Sequence, residues 1–176
     1  MKKIVFLFAT LAFFFLSAFT LNYATDWNLT DGYSIRVKGK KINGFFHTLK
    51  GQISFDENNL SSSRIKLEVE VASLTTGNSL KSWHAKRPKW FAAKQYPTIS
   101  FVSEKFQKTP KGFIVNGKLK MKGVEKDVSI PFSFSNKIFF GSFIVKRTDY
   151  NVGKMKGFSK MVSDTITIDF TIPVNK

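Results

Sequence analysis

Cysteine is absent from this chain of 176 residues, and only 12 acidic residues face 28 basic ones. Without cysteine the protein forms no disulfide and carries no lipid-modified cysteine of the bacterial lipoprotein type. The two histidines, His47 and His84, are distant in sequence and make weak candidates for a metal site without a thiolate. We therefore expect neither a bound metal nor a cofactor.

Catalytic motifs are missing as well. The sequence contains no HExxH, no GxSxG and no glycine-rich phosphate loop. Ser82 and His84 bring a hydroxyl near an imidazole. A spacing of two residues in a loop, however, does not indicate a nucleophile and its base. His84 is interpreted as a structural hydrogen-bonding residue. The chain is predicted not to be an enzyme and to have no catalytic residues.

The N-terminus has the pattern of an export signal. Lys2 and Lys3 precede an apolar run over residues 4–16, small residues follow at Ala18 and Ala24, and no acid appears before Asp26. This predicts a secretory signal peptide over residues 1–24, cleaved after Ala18 or Ala24. An uncleaved anchor is the alternative, but the run is shorter than the ~20 residues of a bilayer span. The mature protein, residues 25–176, is expected to be a single periplasmic or secreted domain.

The positive charge raises the question of a nucleic-acid partner. Without Lys2 and Lys3 the net charge is 26 − 12 = +14. Outward positions of several predicted strands carry basic residues, for example Arg36, Lys38, Lys118 and Lys120, which indicates a charge spread round the domain and no nucleic-acid stripe. A basic solvated surface is the simplest interpretation, and attraction to an anionic membrane surface or envelope polymer stays open.

Eight short segments between Tyr33 and Pro173 alternate apolar and polar residues. In residues 64–71 the apolar side chains hold every odd position, which is the period of a strand with one dry face. Turn signals such as Pro110-Lys111-Gly112 and Lys122-Gly123 separate neighbouring segments. An open sheet of eight strands would leave two unpaired edges. The pattern predicts an all-β fold, an eight-stranded antiparallel barrel.

One long insert interrupts this series between the third and fourth predicted strands, over residues 75–97. A short helix is predicted to start at Pro88, because proline suits the first helical position. Pro97 then enforces an extended entry into the next strand. Trp90 or Phe91 is expected to cover one end of the barrel, either as a fixed plug or as a movable lid over a pocket.

Phenylalanines at inward positions are the candidate lining of a lipid pocket. Two of them are expected near a mouth, Phe46 and Phe91. The others are expected deeper in the interior: Phe55, Phe101, Phe113, Phe132, Phe134 and Phe143. The alternative is that these rings fill the interior as a solid core.

Several blocks of the sequence form an ordered set: Gly44-x-Phe46, Gly51-x-Ile53-x-Phe55-Asp56, residues 73–78, His84, Phe91, residues 96–99 with Phe101 and Ser103, Gly117-x-Leu119-x-Met121-x-Gly123-Val124 and Arg147-x-Asp149-Tyr150. In this order the chain resembles the YceI-like lipid/polyisoprenoid-binding family, over nearly the whole mature chain. The resemblance implies a lipocalin-like barrel, exported, that holds an isoprenoid or other long-chain lipid, without established catalytic residues.

The chain departs from that family pattern in its insert. Lys81-Ser82 stands where the family usually has an Arg-Asp pair, acidic residues beside Phe91 are missing, and Asn151 replaces a glycine. Loss of acids at a helix start weakens or displaces the helix. A basic insert favours a phosphate or carboxylate headgroup on the ligand.

Two functions remain open from the sequence. The first is a lipid carrier that stores or transports its ligand. The second is a non-catalytic envelope-stress or surface-binding module with a packed barrel whose basic surface binds anionic lipids or polymers. A homodimer that joins two barrel mouths is compatible with either function and has no specific support in the sequence.

Overall fold

The structure, a computed structural model, describes residues 24–153 and 161–176. Most of the predicted signal peptide therefore lies outside the described residues. Within the described ranges the chain forms one α-helix, α1 (Ser79–Lys86), and ten antiparallel strands. The strands are β1 (Thr25–Leu29), β2 (Ser34–Gly39), β3 (Ile42–Phe46), β4 (Leu49–Phe55), β5 (Arg64–Glu70), β6 (Thr98–Thr109), β7 (Gly112–Met121), β8 (Val124–Ser135), β9 (Ile138–Lys146) and β10 (Thr165–Asn175).

The sheet closes on itself. Its order is β1-β4-β5-β6-β7-β8-β9-β10-β2-β3, and β1 pairs with β10 as well as with β4. β1 and β2 follow one another in sequence and together act as one bent strand, and β3 and β4 together act as the next. The two bent strands pair with each other as a hairpin, β1 with β4 and β2 with β3. The ten segments thus build an eight-stranded antiparallel barrel, which confirms the predicted fold class.

Two of the ten strands, β1 and β3, are absent from the sequence prediction. Both contain residues typical of turns: Asp26 and Asn28 in β1, Asn43 and Gly44 in β3. They are extended because their neighbours supply the pairing, with Trp27 opposite Ile53 and Val37 opposite Gly44. Tertiary contacts override weak local preference in such strands.

The predicted position of the helix is wrong. Pro88 does not start a helix; α1 ends before it, and Arg87 is extended with ψ 165°, as a residue before proline prefers. The helix starts earlier because the Asn78 side chain accepts a hydrogen bond from the Lys81 N–H at 3.0 Å, an N-cap in the expected geometry. Residues after Pro88 form turns, and Ala92 has a positive φ of 52°, which ends any helical run.

The hydrogen-bond ladder between β8 and β9 is short. It joins Phe132–Ser135 to Ile138–Gly141 and stops there, whereas β8 and β7 pair from Val124 to Phe132. Pro131 stands where the ladder stops, and its carbonyl oxygen faces Gly141 on β9. Because proline has no N–H to donate on that side, it is tolerated where pairing ends.

Candidate binding cavity

The antiparallel topology sorts the connections between the eight barrel strands onto two ends. The connections that meet at one end, which we call the insert end, are residues 40–41, 71–97 and 122–123 and the described parts of the β9–β10 connection, residues 147–153 and 161–164. Residues 56–63, 110–111 and 136–137 connect strands at the other end, which also holds the C-terminus. We call this the phenylalanine end, because rings fill it.

Phe55 is the centre of that filling. It is 2% exposed, and its ring lies 5.2–6.0 Å from five other rings, those of Phe106, Phe113, Phe132, Phe134 and Phe139. Trp27 adds an edge contact to Phe134 at 5.2 Å and donates its indole N–H to the Phe55 carbonyl oxygen at 3.0 Å. The cluster closes this end of the barrel.

Above the cluster the barrel is hollow. A cavity of about 1080 Å³ extends from Phe132 and Phe139 to the insert end. Its wall includes inward side chains that are only half-buried although they point into the barrel, such as Val37, Leu67, Val69 and Ile168. Such a volume lies at the upper end of ordinary ligand pockets. The interior is therefore not solidly packed.

The structure divides the eight phenylalanines of the candidate lining into two groups. Phe46, Phe91, Phe101, Phe132 and Phe143 line the cavity. The remaining three, Phe55, Phe113 and Phe134, belong to the cluster at the phenylalanine end. Alternation along a strand tells which face a residue occupies, but it does not tell how deep along the barrel axis the residue lies.

Other lining residues were missed by the sequence reasoning. Phe139 and Phe170 line the cavity, together with the aliphatic side chains of Ile35, Val37, Leu67, Val69 and Ile168. The strand residues among them share the inward parity already used for phenylalanine, so that signal could have found them. Trp90, which the sequence of the insert led us to expect at one end of the barrel, also lines the cavity.

Trp90 and Phe91 cover the insert end of the cavity. The Phe91 ring meets Phe46 edge to face at 6.2 Å, and the Arg147 guanidinium lies 5.3 Å from the Trp90 ring centre. Gly153, at φ 61°, leaves room for the indole: a Cβ there would lie 2.3 Å from the Trp90 ring. Trp90 therefore packs against the loop that follows β9.

Backbone and side-chain hydrogen bonds also hold the insert and the loop that follows β9 together. The Gly153 N–H donates to the Lys89 carbonyl oxygen at 3.1 Å. Lys122 donates from its Nζ to the carbonyl oxygens of Pro88 and Asn151, each at 2.9 Å, and burial lowers the pKa of this amine. Asn151 takes the left-handed conformation at φ 58°, which explains how asparagine replaces the family's glycine here.

Charged and polar groups on the cavity wall gather at the insert end. Arg147 is 6% exposed and donates to the carbonyl oxygens of Val152, Ser163 and Val162. Lys41, Lys81 and His84 also reach the wall. The arrangement can shelter a long apolar chain below and meet a polar end group at the insert end.

Ser82 and His84 do not form a reactive pair. The Ser82 hydroxyl donates to the Asn78 carbonyl oxygen at 2.8 Å and accepts from the Thr76 N–H at 2.9 Å. Residues two apart in a helix point in different directions, and Ser82 is buried while His84 borders the cavity. Its hydrogen bonds tie Ser82 to the start of the helix.

Residues 24–153 and 161–176 contain neither a candidate metal site nor a helix that could span a bilayer. No group of three or more histidine or acidic side chains there is arranged to hold a metal ion. In the same ranges no helix has the length and apolar character needed to cross a bilayer.

A closed eight-stranded barrel with one packed end and one covered cavity defines a lipocalin-like binding fold. The family sequence model of the YceI-like domain matches residues 24–174, and the chain belongs to this family. Among solved structures, the chain is similar to BcnA of Burkholderia cenocepacia, with a TM-score of 0.79 and 24% identity, over 85% of this chain and all of that one. This likeness confirms the fold.

Other relatives are more distant or match over less of their length. A polyisoprenoid-binding domain from Saccharophagus degradans shares the fold, with a TM-score of 0.55 and 16% identity, over 85% of this chain and 93% of that one. A UPF0312 protein of Photorhabdus laumondii is 28% identical over 64% of this chain. One from Pseudomonas putida is 30% identical over 64% of this chain. The chain spans about 60% and 56% of the lengths of these two curated relatives.

Proposed function

We propose that this protein binds one long-chain lipid, an isoprenoid or a related molecule, inside the barrel and stores or transports it without catalysing a reaction. The observation that carries the proposal is the hollow, mostly apolar interior between the phenylalanine cluster and the covering Trp90 and Phe91. The shared fold with a polyisoprenoid-binding domain supports the ligand class.

The energetics of such binding require no special chemistry. Each buried CH₂ group contributes about 0.8 kcal/mol, so a chain of ~20 carbons contributes well over 10 kcal/mol before the costs of association and ordering. Phe101, Phe143 and Phe170 supply flat apolar surface to such a chain. Shape and exclusion of water select the ligand.

The ligand's polar end is proposed to lie at the insert end and to be anionic. Lys41, Lys81 and Arg147 border the cavity there. Within the described residues, Glu68 is the one acidic residue in the cavity lining. A phosphate or carboxylate would find cations in this place, whereas the described cavity wall beside the phenylalanine cluster carries none. Replacement of Lys81 by glutamate is expected to lower retention of such a lipid relative to a neutral one of equal length.

The proposal also includes export of the protein from the cytoplasm. We infer from the basic start and apolar run of residues 1–24 that the chain is secreted and processed. Cleavage after either Ala18 or Ala24 leaves β1 whole, since β1 begins at Thr25. N-terminal sequencing of the exported protein is expected to start at Phe19 or Thr25; an intact Met1 would contradict processing.

Native mass spectrometry followed by solvent extraction tests lipid binding. The protein recovered from the exported fraction is expected to carry a stoichiometric adduct that extracts as an isoprenoid or fatty-acyl species. Val37→Trp, which places an indole in the cavity, should remove the adduct. Val102→Trp, on the exposed outer face of β6, should leave it unchanged.

A clean apo mass that persists when quinones or polyprenyl lipids are offered would contradict the proposal. An adduct of equal abundance in both tryptophan variants would show that the lipid sits elsewhere on the protein. In either case the second candidate, a module that works through its basic surface, would take precedence. Its binding to anionic partners should fall steeply with salt, whereas capture in the interior should hardly respond.

A further inference from the structure

Helix α1 turns two large apolar side chains away from the barrel. Leu80 is 62% exposed and Trp83 is 52% exposed, and the two lie one turn apart on the same side of the helix. Ser82 and Ala85 on the other side are buried or half-buried, and Ala85 lines the cavity. The helix is therefore apolar on its outer face, where a water-exposed helix would be polar.

Basic residues lie at the same end of the barrel as Leu80 and Trp83. The Arg87 guanidinium stacks on the Trp83 ring at 4.3 Å. Three of the four connections of the insert end, residues 40–41, 71–97 and 122–123, contain no acidic residue, while the described part of the fourth holds Asp149 and Asp164 beside Arg147. The basic residues of the first three are Lys40, Lys41, Lys81, Lys86, Arg87, Lys89, Lys94 and Lys122.

The phenylalanine end differs in charge. Its connections, residues 56–63, 110–111 and 136–137, hold the acids Asp56 and Glu57 and the bases Lys111 and Lys137, so their charges sum to 2 − 2 = 0. The basic surplus of the loops is thus concentrated round the covered cavity, and exposed Leu80 and Trp83 project from the same place.

We propose that the insert end docks on an anionic lipid bilayer, with Leu80 and Trp83 in the interfacial region and the surrounding lysines on the lipid phosphates. Tryptophan prefers this interfacial depth, and an apolar helix face flanked by basic residues is typical of a segment that lies on a membrane. Each lysine near an anionic surface strengthens binding roughly fivefold. An aliphatic leucine beside the tryptophan favours the apolar boundary of a bilayer over a purely charged polymer.

Docking in this orientation has a consequence for the ligand. The inner side of α1 lines the cavity through Lys81, His84 and Ala85, while its outer side carries the docking residues. The cavity entrance would then face the bilayer, and a lipid could pass between bilayer and barrel without crossing water. This transfer step rests on the proposed lipid binding; the docking itself does not.

Vesicle co-sedimentation tests the docking, with the protein recovered from cells that express the full chain. Binding is expected to vesicles of phosphatidylglycerol and phosphatidylcholine, to be weak with phosphatidylcholine alone, and to fall as salt is raised. The double variant Leu80→Ser/Trp83→Ser should lose at least tenfold in affinity. Lys40→Gln/Lys94→Gln, which changes two exposed lysines of the insert end, should lose about as much.

Matched variants elsewhere on the barrel serve as controls. Phe140→Ser/Ile144→Ser removes two exposed apolar side chains from the outer face of β9, and Lys108→Gln/Lys111→Gln removes two lysines near the phenylalanine end. Both should bind vesicles as the unchanged protein does. Thermal unfolding of every variant distinguishes a loss of vesicle binding from a loss of fold.

The outcomes separate docking from lipid binding. Loss of vesicle binding in Leu80→Ser/Trp83→Ser, with the extracted lipid content unchanged, supports both proposals. The same loss in a protein that never carries lipid supports docking and contradicts the proposed function. Equal vesicle binding by all four variants, or no binding to anionic vesicles, overturns the docking proposal.

Discussion

Phe55 and Phe143 show how the same residue type has two roles in one barrel. Phe55 is nearly inaccessible and contacts five rings, whereas Phe143 is half-buried beside the cavity, with one ring, that of Phe170, at 6.4 Å. Both occupy inward positions of their strands. The difference comes from depth along the barrel axis.

Truncation of the two rings should therefore have different costs. Phe55→Ala leaves a void among packed rings and is expected to lower the free energy of unfolding by about 3–5 kcal/mol. Phe143→Ala enlarges an existing cavity and should cost on the order of 1–2 kcal/mol. Urea denaturation of lipid-free protein measures both. Equal losses would show that the interior beside Phe143 is packed.

Asp164 anchors the loop between β9 and β10. The Thr148 hydroxyl donates to its carboxylate at 2.9 Å and the Thr148 N–H donates at 3.1 Å. The hydroxyl hydrogen bond is the main cause that holds the pKa of Asp164 below its usual value, and the backbone N–H, Arg147 and Lys146 act in the same direction against partial desolvation.

This lowered pKa predicts a pH dependence. A carboxyl group whose pKa is lower in the folded state stabilises the fold above its ordinary pKa and loses that contribution as pH falls through the folded value. Asp164→Asn should be less stable than the unchanged protein near neutral pH, and the gap should close below about pH 4. Thermal melts across pH check this, with Asp149→Asn in the same loop as the control. A gap that stays constant with pH would contradict the assignment.

Among the elements, the insert is the one whose position decides access to the cavity. Its helix starts at the Asn78 cap and ends at Lys86. The later half of the insert folds back over the cavity, with Trp90 against Gly153. A side chain at position 153 would meet the indole directly. Gly77, in the same insert, also has a positive φ of 70° but faces open space.

These two glycines form a matched pair. Gly77→Ala should cost only the strain of a left-handed alanine, about 1–2 kcal/mol. Gly153→Ala adds a collision with Trp90, so it should cost more and also speed the exchange of bound lipid by displacing the cover. Denaturation gives the first quantity, and transfer of a fluorescent fatty acid to vesicles gives the second. Equal exchange rates in the two variants would indicate that Trp90 is a fixed plug with no part in access.

The strands differ in how well the sequence predicts them. β7 alternates in burial along its length, as its residues alternate in polarity, because one face lies on the interior and the other on solvent. β1 and β3 also alternate in burial, but they are only five residues long and contain turn-type residues, so their extended form depends on their partner strands. The long β6 contains a register shift between Ser103 and Lys105, opposite Asn116 and Gly117, that the sequence pattern does not reveal.

For the whole molecule, a hollow interior links stability to ligand. A lipid that binds only the folded barrel raises its stability by RT ln(1 + [L]/Kd), about 2.7 kcal/mol at a hundredfold excess over Kd. Delipidated protein should therefore melt at a lower temperature than protein as recovered, and added lipid should restore the difference. Val37→Trp, with an indole obstructing its cavity, should show no shift. A shift of the same size in this variant would place the stabilising site outside the cavity.

Net charge is a second property of the whole molecule. The strands spread their basic residues round the barrel, and several are paired, as Lys38 is with Asp169 at 2.5 Å and Lys50 with Glu70 at 2.5 Å. Exposed pairs of this kind add little stability. The loops, in contrast, place their basic surplus at one end, because antiparallel topology brings every second connection together there.

Composition and alternation were enough to predict an all-β chain, its eight main strands and an inward face rich in phenylalanine, because a strand's period of two depends only on neighbouring residues. The depth of a residue along the barrel axis and the distribution of charge between the two ends depend on which strands pair and which end each connection occupies. Only the folded chain separates Phe55, in the packed cluster, from Phe143, on the cavity wall. Only the folded chain places Trp90 on Gly153 and gathers Lys40, Lys41 and the insert's lysines at one end, since these contacts join residues far apart in sequence.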